Sequence, residues 1–195
     1  MNGAMTMTSY EIRTMTAQDI PQIAQIEKAV FSSPWSEAAF RSELEDNAMA
    51  LYLVLTDDRQ PDVILGYCGL WKIFDEGHIT NIAVLPEHQG KKLGKMLLHA
   101  MINWAWSNEM NHVTLEVRVG NDRAITLYKK TGFVEAGVRP GYYDAGREDA
   151  LIMWLHRDEA GESGDGGKAE EGGSRNEPDS DGRRHEAKKG GCIDV

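Results

Sequence analysis

Apolar residues run densely from Tyr10 to Leu155 and then almost stop. A packed domain has to be built from what lies before that break. Residues 157–195 are dominated by Gly, Glu, Asp, Ser and Lys and bury too little apolar surface to offset the entropy of ordering them. The expected organisation is a flexible N-terminus over residues 1–8, one domain over 9–156 of the usual single-domain size, and a disordered acidic, glycine-rich tail over 157–195. The net charge of −10 argues against direct nucleic-acid binding, which needs a basic footprint, and suits a basic partner. No apolar run approaches the roughly 18 residues of a membrane helix. No basic region followed by an apolar one opens the chain, so the cytoplasm is the expected compartment. Cys68 and Cys192, far apart in sequence, do not suggest a disulfide framework. Cys192 stands fourth from the C-terminus, but Asp194 occupies a place where a prenylation box wants an aliphatic residue.

Periodicity gives the order of elements. Tyr10–Arg13 reads as a short strand, followed by a helix with Ile23, Ile26, Glu27 and Val30 at three-to-four spacing. Pro21 favours Asp19 over Thr16 as its cap, because only Asp19 leaves the proline in the first turn. Ser33-Pro34-Trp35-Ser36 separates it from a second helix carrying Phe40 and Leu44. Strands are expected at Met49–Thr56, Val63–Phe74 and Gly77–Leu85, the first two parted by a turn over residues 57–62. A helix from Lys91 to Asn108 buries Leu93, Leu97, Ala100, Met101 and Trp104. Val113, Leu115, Val117 and Val119 then alternate with Thr114, Glu116 and Arg118, a strand with two chemically different faces. Asn121 caps a short helix that Gly132 closes. Strands Phe133–Tyr143 and Glu148–Leu155 meet at Asp144-Ala145-Gly146. The fold class is therefore mixed α/β, ordered β-α-α-β-β-β-α-β-α-β-β.

The strongest local signal runs from Ile82-Ala83-Val84 through Gln89-Gly90-Lys91-Lys92-Leu93-Gly94. A strand enters a glycine-containing loop that opens a helix, and unpaired N–H groups at a helix N-terminus attract phosphate. A Walker A loop fails on spacing: three residues separate Gly90 from Gly94, and Met96 follows Lys95 where Ser or Thr is required. An ordinary strand–helix turn remains the plain alternative.

This segment resembles the acetyl-coenzyme A motif Gln/Arg-x-x-Gly-x-Gly/Ala of the GNAT superfamily, with Gln89 and Gly94 in place and Lys92 where the first glycine is usual. If position 92 is helical the departure matters little; if the position needs positive φ, it matters. Pro34-Trp35-Ser36, Asn81-Ile82-Ala83-Val84, Leu115-Glu116-Val117-Arg118, Asn121 with Ala124-Ile125-x-Leu127-Tyr128, Gly132-Phe133, Tyr142-Tyr143 and Gly146-Arg147-Glu148-Asp149-Ala150 occur in that order. Together they resemble the RimI-type ribosomal-protein alanine N-acetyltransferases over Tyr10–Leu155.

The resemblance implies a GNAT fold, a largely antiparallel mixed sheet flanked by helices. It also implies direct transfer of acetyl from acetyl-coenzyme A to the N-terminal α-amine of a basic protein or peptide, foremost the N-terminal alanine of ribosomal small-subunit protein 18. Glu116 would be the general base and Tyr128 the general acid at the departing thiolate. Backbone amides around Ile82, Ala83 and Val84 would polarise the thioester. Gln89, Gly90, Lys91, Lys92, Leu93, Gly94, Asn121 and Tyr128 would hold the coenzyme. Trp35, Tyr142, Tyr143, Arg147 and Glu148 would shape the substrate groove.

Each assignment has a plainer alternative. Glu116 can be an ion-paired strand carboxylate, Tyr128 and Trp35 core aromatics, and Glu148 a hairpin ion pair. Cys68 lies in an apolar strand run and reads as an inert buried thiol rather than an acyl carrier. The six histidines, His78, His88, His99, His112, His156 and His185, show no metal-ligand spacing, and no metal is expected. The rival functions are a GNAT enzyme for a small amine and a coenzyme A-binding regulatory module without turnover.

Overall fold

The computed structural model describes residues 9–143 and 146–157. The expected flexible segment 1–8, the tail from residue 158 on, and Asp144-Ala145 of the last turn lie outside them. The elements are β1 (Tyr10–Thr14), α1 (Ile20–Val30), α2 (Glu37–Asp46), β2 (Ala50–Asp57), β3 (Gln60–Ile73), β4 (Glu76–Val84), α3 (Leu93–Ser107), β5 (His112–Arg118), α4 (Asp122–Thr131), β6 (Val134–Tyr143) and β7 (Glu148–His156). This is the order read from the sequence. The strands form one seven-stranded sheet, β1-β2-β3-β4-β5-β7-β6. Every neighbouring pair is antiparallel except β4 and β5.

Helices cover both faces of the sheet. On one face α3 buries Leu93, Leu97, Leu98, Met101, Ile102 and Ala105, joined by Val113, Leu115 and Val117 of β5 and by Ala124 and Tyr128 of α4. On the other, Ile20, Ile23 and Ile26 of α1 and Phe40 of α2 pack on Tyr52, Val54, Tyr67 and Ala83. Each fully buried Leu or Ile contributes roughly 1.5–3 kcal/mol before ordering entropy is counted. The alternation in β5 thus has the origin expected of it: its valines and Leu115 feed the α3–α4 core, and Thr114, Glu116 and Arg118 face the other way.

Val119, read into that alternation, lies beyond β5 and is exposed, α3 starts at Leu93 rather than Lys91, and three further local details differ from the sequence reading. The β2–β3 turn is confined to Asp58-Arg59, and β3 begins at Gln60. The register shifts there, with Thr56 opposite Ile64 and Asp57 opposite Gln60. Pro61 therefore sits in a bulge, where its missing N–H costs no ladder bond. Arg157 belongs with the folded chain, since its N–H donates to the Asn111 carbonyl at 2.9 Å.

The third difference concerns Asp19, which does not cap α1 with its side chain. A short 3-10 turn, Ala17–Asp19, intervenes, and Asp19 has helical dihedrals. Its carboxylate turns back to accept from the Thr16 N–H (2.7 Å) and from both Arg13 guanidinium nitrogens (2.8 Å each). Pro21 still falls in the first turn of α1. The Arg13 hydrogen bond, against the opposing effect of burial, and the bonds from Thr16 lower the Asp19 pKa from 3.8 to about 2. A depressed carboxylate stabilises the fold above its unfolded pKa, and that contribution is lost as pH falls through the folded one. Asp19→Asn is expected to cost about 1–2 kcal/mol at pH 7. The difference from wild type should shrink between pH 4 and pH 2, the window set by the values of 3.8 and about 2. Denaturant unfolding at pH 7 and pH 2.5 checks this.

Candidate active site

The β4–β5 ladder covers only Glu76–Ile79 against His112–Leu115. Beyond Ile79 and Leu115 the parallel strands part, although β4 continues to Val84 and β5 to Arg118. Residues 80–84 of β4 and 116–118 of β5 therefore border an opening in the sheet. Ile82, Ala83 and Val84 lie on its β4 side, fully or almost fully buried. Their main-chain groups on that edge lack a β5 ladder partner.

On the α3 side of this region the chain leaves β4 through a 3-10 turn, Pro86–His88, and enters α3 at Leu93. Gln89 ties the loop down: its Nε2 donates to the Val84 carbonyl at 3.2 Å, and its Oε1 accepts from Arg123 of α4 at 3.3 Å. Gly90 has φ +77°, and Lys92, the residue before the helix, is left-handed with φ 65° and ψ 15°. This decides the question posed by the sequence: position 92 needs positive φ, and a lysine meets that need at a cost of about 1 kcal/mol. Gly90, Lys92, Lys95, Arg123 and Leu127 line a cavity of about 270 Å³. Lys92 and Lys95 at the α3 N-terminus and Arg123 of α4 form a cationic donor set suited to the phosphates of a nucleotide-bearing ligand. Lys91 Nζ lies beside His88 Nδ1 at 3.3 Å instead, and Gly94 is buried in the first turn of α3.

The opposite face carries the carboxylates. Glu116 Oε2 is 2.6 Å from His78 Nε2, and Glu116 Oε1 accepts from Arg139 of β6 at 3.2 Å. Burial raises the Glu116 pKa, but the hydrogen bond and charge of His78 and the charge of Arg139 outweigh it, and the net shift is below the ordinary 4.5. The Arg139 guanidinium lies 4.8 Å from the Tyr142 ring centre, and Arg118 lies 4.4 Å from that of Tyr143. Tyr143 donates its hydroxyl to the Glu116 carbonyl at 3.0 Å. Arg118 also pairs with Glu148. Both line a second cavity of about 410 Å³, together with Phe31 and Ser32 from the α1–α2 connection, Gly120, and Asn121.

The connection itself is held by a buried charge. Glu27 on α1 is completely buried and accepts the Trp35 N–H at 2.6 Å and the Tyr67 hydroxyl. Burial pushes its pKa up despite those bonds.

The structure thus gathers Glu116, Tyr142, Tyr143 and Glu148 around one region, with Asn121 on the rim capping α4 by accepting the Ala124 N–H at 3.1 Å. Two of the assigned residues are packed side chains. The Trp35 side chain packs on Phe40 in the α1–α2 core, ring centres 5.5 Å apart. Tyr128 is fully buried in the α3–α4 core against Phe133. Arg147 is exposed after the last turn. Cys68 is fully buried, which raises its thiol pKa and makes it a poor acyl carrier. Sequence reasoning missed His78, Arg139 and Arg118 on one side and Lys95 and Arg123 on the other. Only Lys95 and Arg123 had a local signal, in the first turns of α3 and α4.

Comparison with known proteins agrees with this fold. The profile of the acetyltransferase (GNAT) family matches residues 20–133. A Bacillus subtilis relative is 40% identical over 148 residues, 76% of this chain and 96% of its own length. The ribosomal protein bS18-alanine N-acetyltransferase of Salmonella typhimurium is 36% identical over 146 residues, 74% of this chain and 95% of its own. The crystal structure of the ribosomal-protein-S18-alanine N-acetyltransferase from Escherichia coli superposes with a TM-score of 0.70 at 34% identity, covering 80% of this chain and 98% of that one. The chain belongs to the acetyltransferase (GNAT) family, whose enzymes use acetyl-coenzyme A.

The left-handed Lys92 gives a two-sided expectation. Lys92→Gly should relieve the backbone and raise stability by about 0.5–1 kcal/mol, a Tm increase of roughly 1–4 °C. It should also remove a cation from the cavity and weaken coenzyme A severalfold at low salt. Thermal unfolding and calorimetric titration read the two effects separately.

Proposed function

We propose that the chain transfers the acetyl group of acetyl-coenzyme A to the N-terminal α-amine of a protein, foremost the N-terminal alanine of a ribosomal small-subunit protein of the bS18 type. The observation that carries this reading is the two-sided opening between β4 and β5, cationic at Lys92, Lys95 and Arg123 and acidic at Glu116. It is supported by the names of relatives that align over about three quarters of the chain.

In this reading Gln89, Gly90, Lys91, Lys92, Leu93 and Gly94 cradle the pyrophosphate, with Lys95 and Arg123 neutralising its charge. The coenzyme supplies a thioester, and amides of residues 82–84 polarise its carbonyl. The α-amine approaches from the face of Glu116. A protein N-terminus has a pKa of about 7.7–8.0, so a modest base suffices to neutralise it. Glu116 provides that base function, and Tyr128 protonates the departing thiolate. Tyr142, Tyr143, Arg147 and Glu148 bound the groove in which the first residues of the substrate lie, and Trp35 helps hold its α1–α2 wall. A cytoplasmic location follows from a ribosomal substrate, and no helix among the described residues is long and apolar enough to cross a membrane.

Mass spectrometry after incubation with acetyl-coenzyme A tests the substrate. Peptides beginning with alanine should gain one acetyl group at the α-amine, and spermidine should not react; acetylation of spermidine in preference to every peptide would overturn the reading. Tyr128→Phe should lower turnover roughly 10²-fold and leave coenzyme affinity nearly unchanged.

A further inference from the structure

Glu27 is a completely buried carboxylate to which the acetyl-transfer reading gives no task. It stands on α1 in the stripe that otherwise turns Ile20, Ile23 and Ile26 to the sheet. A leucine of similar size would fill that place without the cost of taking a carboxylate out of water. A leucine accepts no hydrogen bonds, however, and the partners of Glu27 show what those bonds join.

The first partner is the Trp35 N–H, which donates to Oε2 at 2.6 Å. Trp35 lies in the connection that leaves α1 after Val30 and ends at Ser36, the cap of α2. Phe31 and Ser32 of the same connection line the larger cavity with Arg118 and Glu148. The second partner is the Tyr67 hydroxyl, which donates to Oε1. Tyr67 is fully buried on β3 and stands opposite Ala83 in the β3–β4 ladder. Asn81 of β4, also fully buried, acts to lower the Glu27 pKa, although its carboxamide makes no hydrogen bond of ordinary length.

One side chain therefore joins the α1–α2 wall to the strand pair that carries residues 82–84. In the proposed reaction the peptide lies along the wall and the thioester carbonyl faces those residues. The reach of Glu27 then sets the spacing at which the two reactants are held. Acyl transfer is sensitive to such spacing, and a misplacement of about 1 Å can cost roughly 10²-fold.

We propose that Glu27 is a positioning residue for the peptide, setting the α1–α2 wall by holding the Trp35 amide and the Tyr67 hydroxyl on one carboxylate. The inference rests on the N-acetyltransferase reading and leaves Glu116 as the base and Tyr128 as the acid. The tether works through its two acceptor positions rather than its charge. A glutamine there presents Oε1 to the Trp35 N–H and donates Nε2–H to the Tyr67 oxygen, so both contacts survive. An aspartate keeps the charge but is one methylene shorter and cannot span both partners. A leucine bonds neither.

The test is steady-state kinetics of the full chain and of Glu27→Gln, Glu27→Asp and Glu27→Leu, with acetyl-coenzyme A and one alanine-initiated peptide. Glu27→Asp and Glu27→Leu should raise the peptide KM roughly tenfold or more, while the KM for acetyl-coenzyme A moves less than about twofold. Glu27→Gln should keep the peptide KM within about threefold of the wild type. A role confined to folding would lower the melting temperature and the fraction of active enzyme, and so kcat, without singling out the peptide KM. Glu27→Leu leaves two buried donors unpaired; should it fail to fold, Glu27→Asp decides. An unchanged peptide KM in Glu27→Asp, an equal rise in both KM values, or a Glu27→Gln as impaired as Glu27→Asp overturns the proposal and leaves the acetyltransferase reading standing. A wild type that acetylates no peptide overturns that reading, and the positioning role with it.

Discussion

The arrangement depends on one strand pair that stays together for only part of its length. In a sheet otherwise wholly antiparallel, β4 and β5 run parallel and pair only over Glu76–Ile79 and His112–Leu115. A parallel pair needs a crossover between its strands, and here that crossover is α3. The helix N-terminus is thereby delivered to the end where the strands part. Its loop brings Lys92 and Lys95 to one cavity, and α4, following β5, adds Arg123 to the same lining. Main-chain groups of residues 80–84 on that edge have no β5 ladder partner. Closing the gap with further β4–β5 hydrogen bonds would remove the site without disturbing either core.

Two strained or costly features sit beside this gap. Lys92 holds a backbone conformation that glycine adopts freely. Glu27 is a completely buried carboxylate whose pKa burial raises. The first brings Lys92 to the lining of the cavity it shares with Lys95 and Arg123. The second fixes the connection between α1 and α2, whose Phe31 and Ser32 face Arg118 and Glu148 across the larger cavity. Both lower stability locally and give the site its shape, which is the usual place for such features.

Much of this was legible in the sequence. The alternation in β5 fixed which face Glu116 occupies, because a period of two leaves no other choice once Val113, Leu115 and Val117 are buried. Asn121 and Gly132 marked both ends of α4, since a side-chain acceptor and a left-handed terminus are what a helix start and stop require. The loop after β4 was readable for the same reason, although its left-handed lysine was not: a positive φ at a non-glycine residue leaves no trace in residue type. Asp19 misled because a carboxylate before a helix usually caps it, and here Arg13 and Thr16 compete for it more strongly. The side chains around Glu116 were hidden for a topological reason. His78 lies 38 residues away and Arg139 23 residues away, on strands whose order in the sheet no local spacing records.

A conjugate joining coenzyme A through its sulfur to the α-amine of an alanine-initiated peptide occupies both sides of the opening at once, so a crystal structure of its complex tests the account most directly. The phosphates should lie among Lys92, Lys95, Arg123 and the amides after Gln89. The linking carbonyl should face residues 82–84, and the peptide nitrogen should lie on the side of Glu116 and His78, with the following residues running toward Tyr142 and Glu148. Phosphates bound elsewhere, or a peptide leaving through the α3–α4 side, would contradict it.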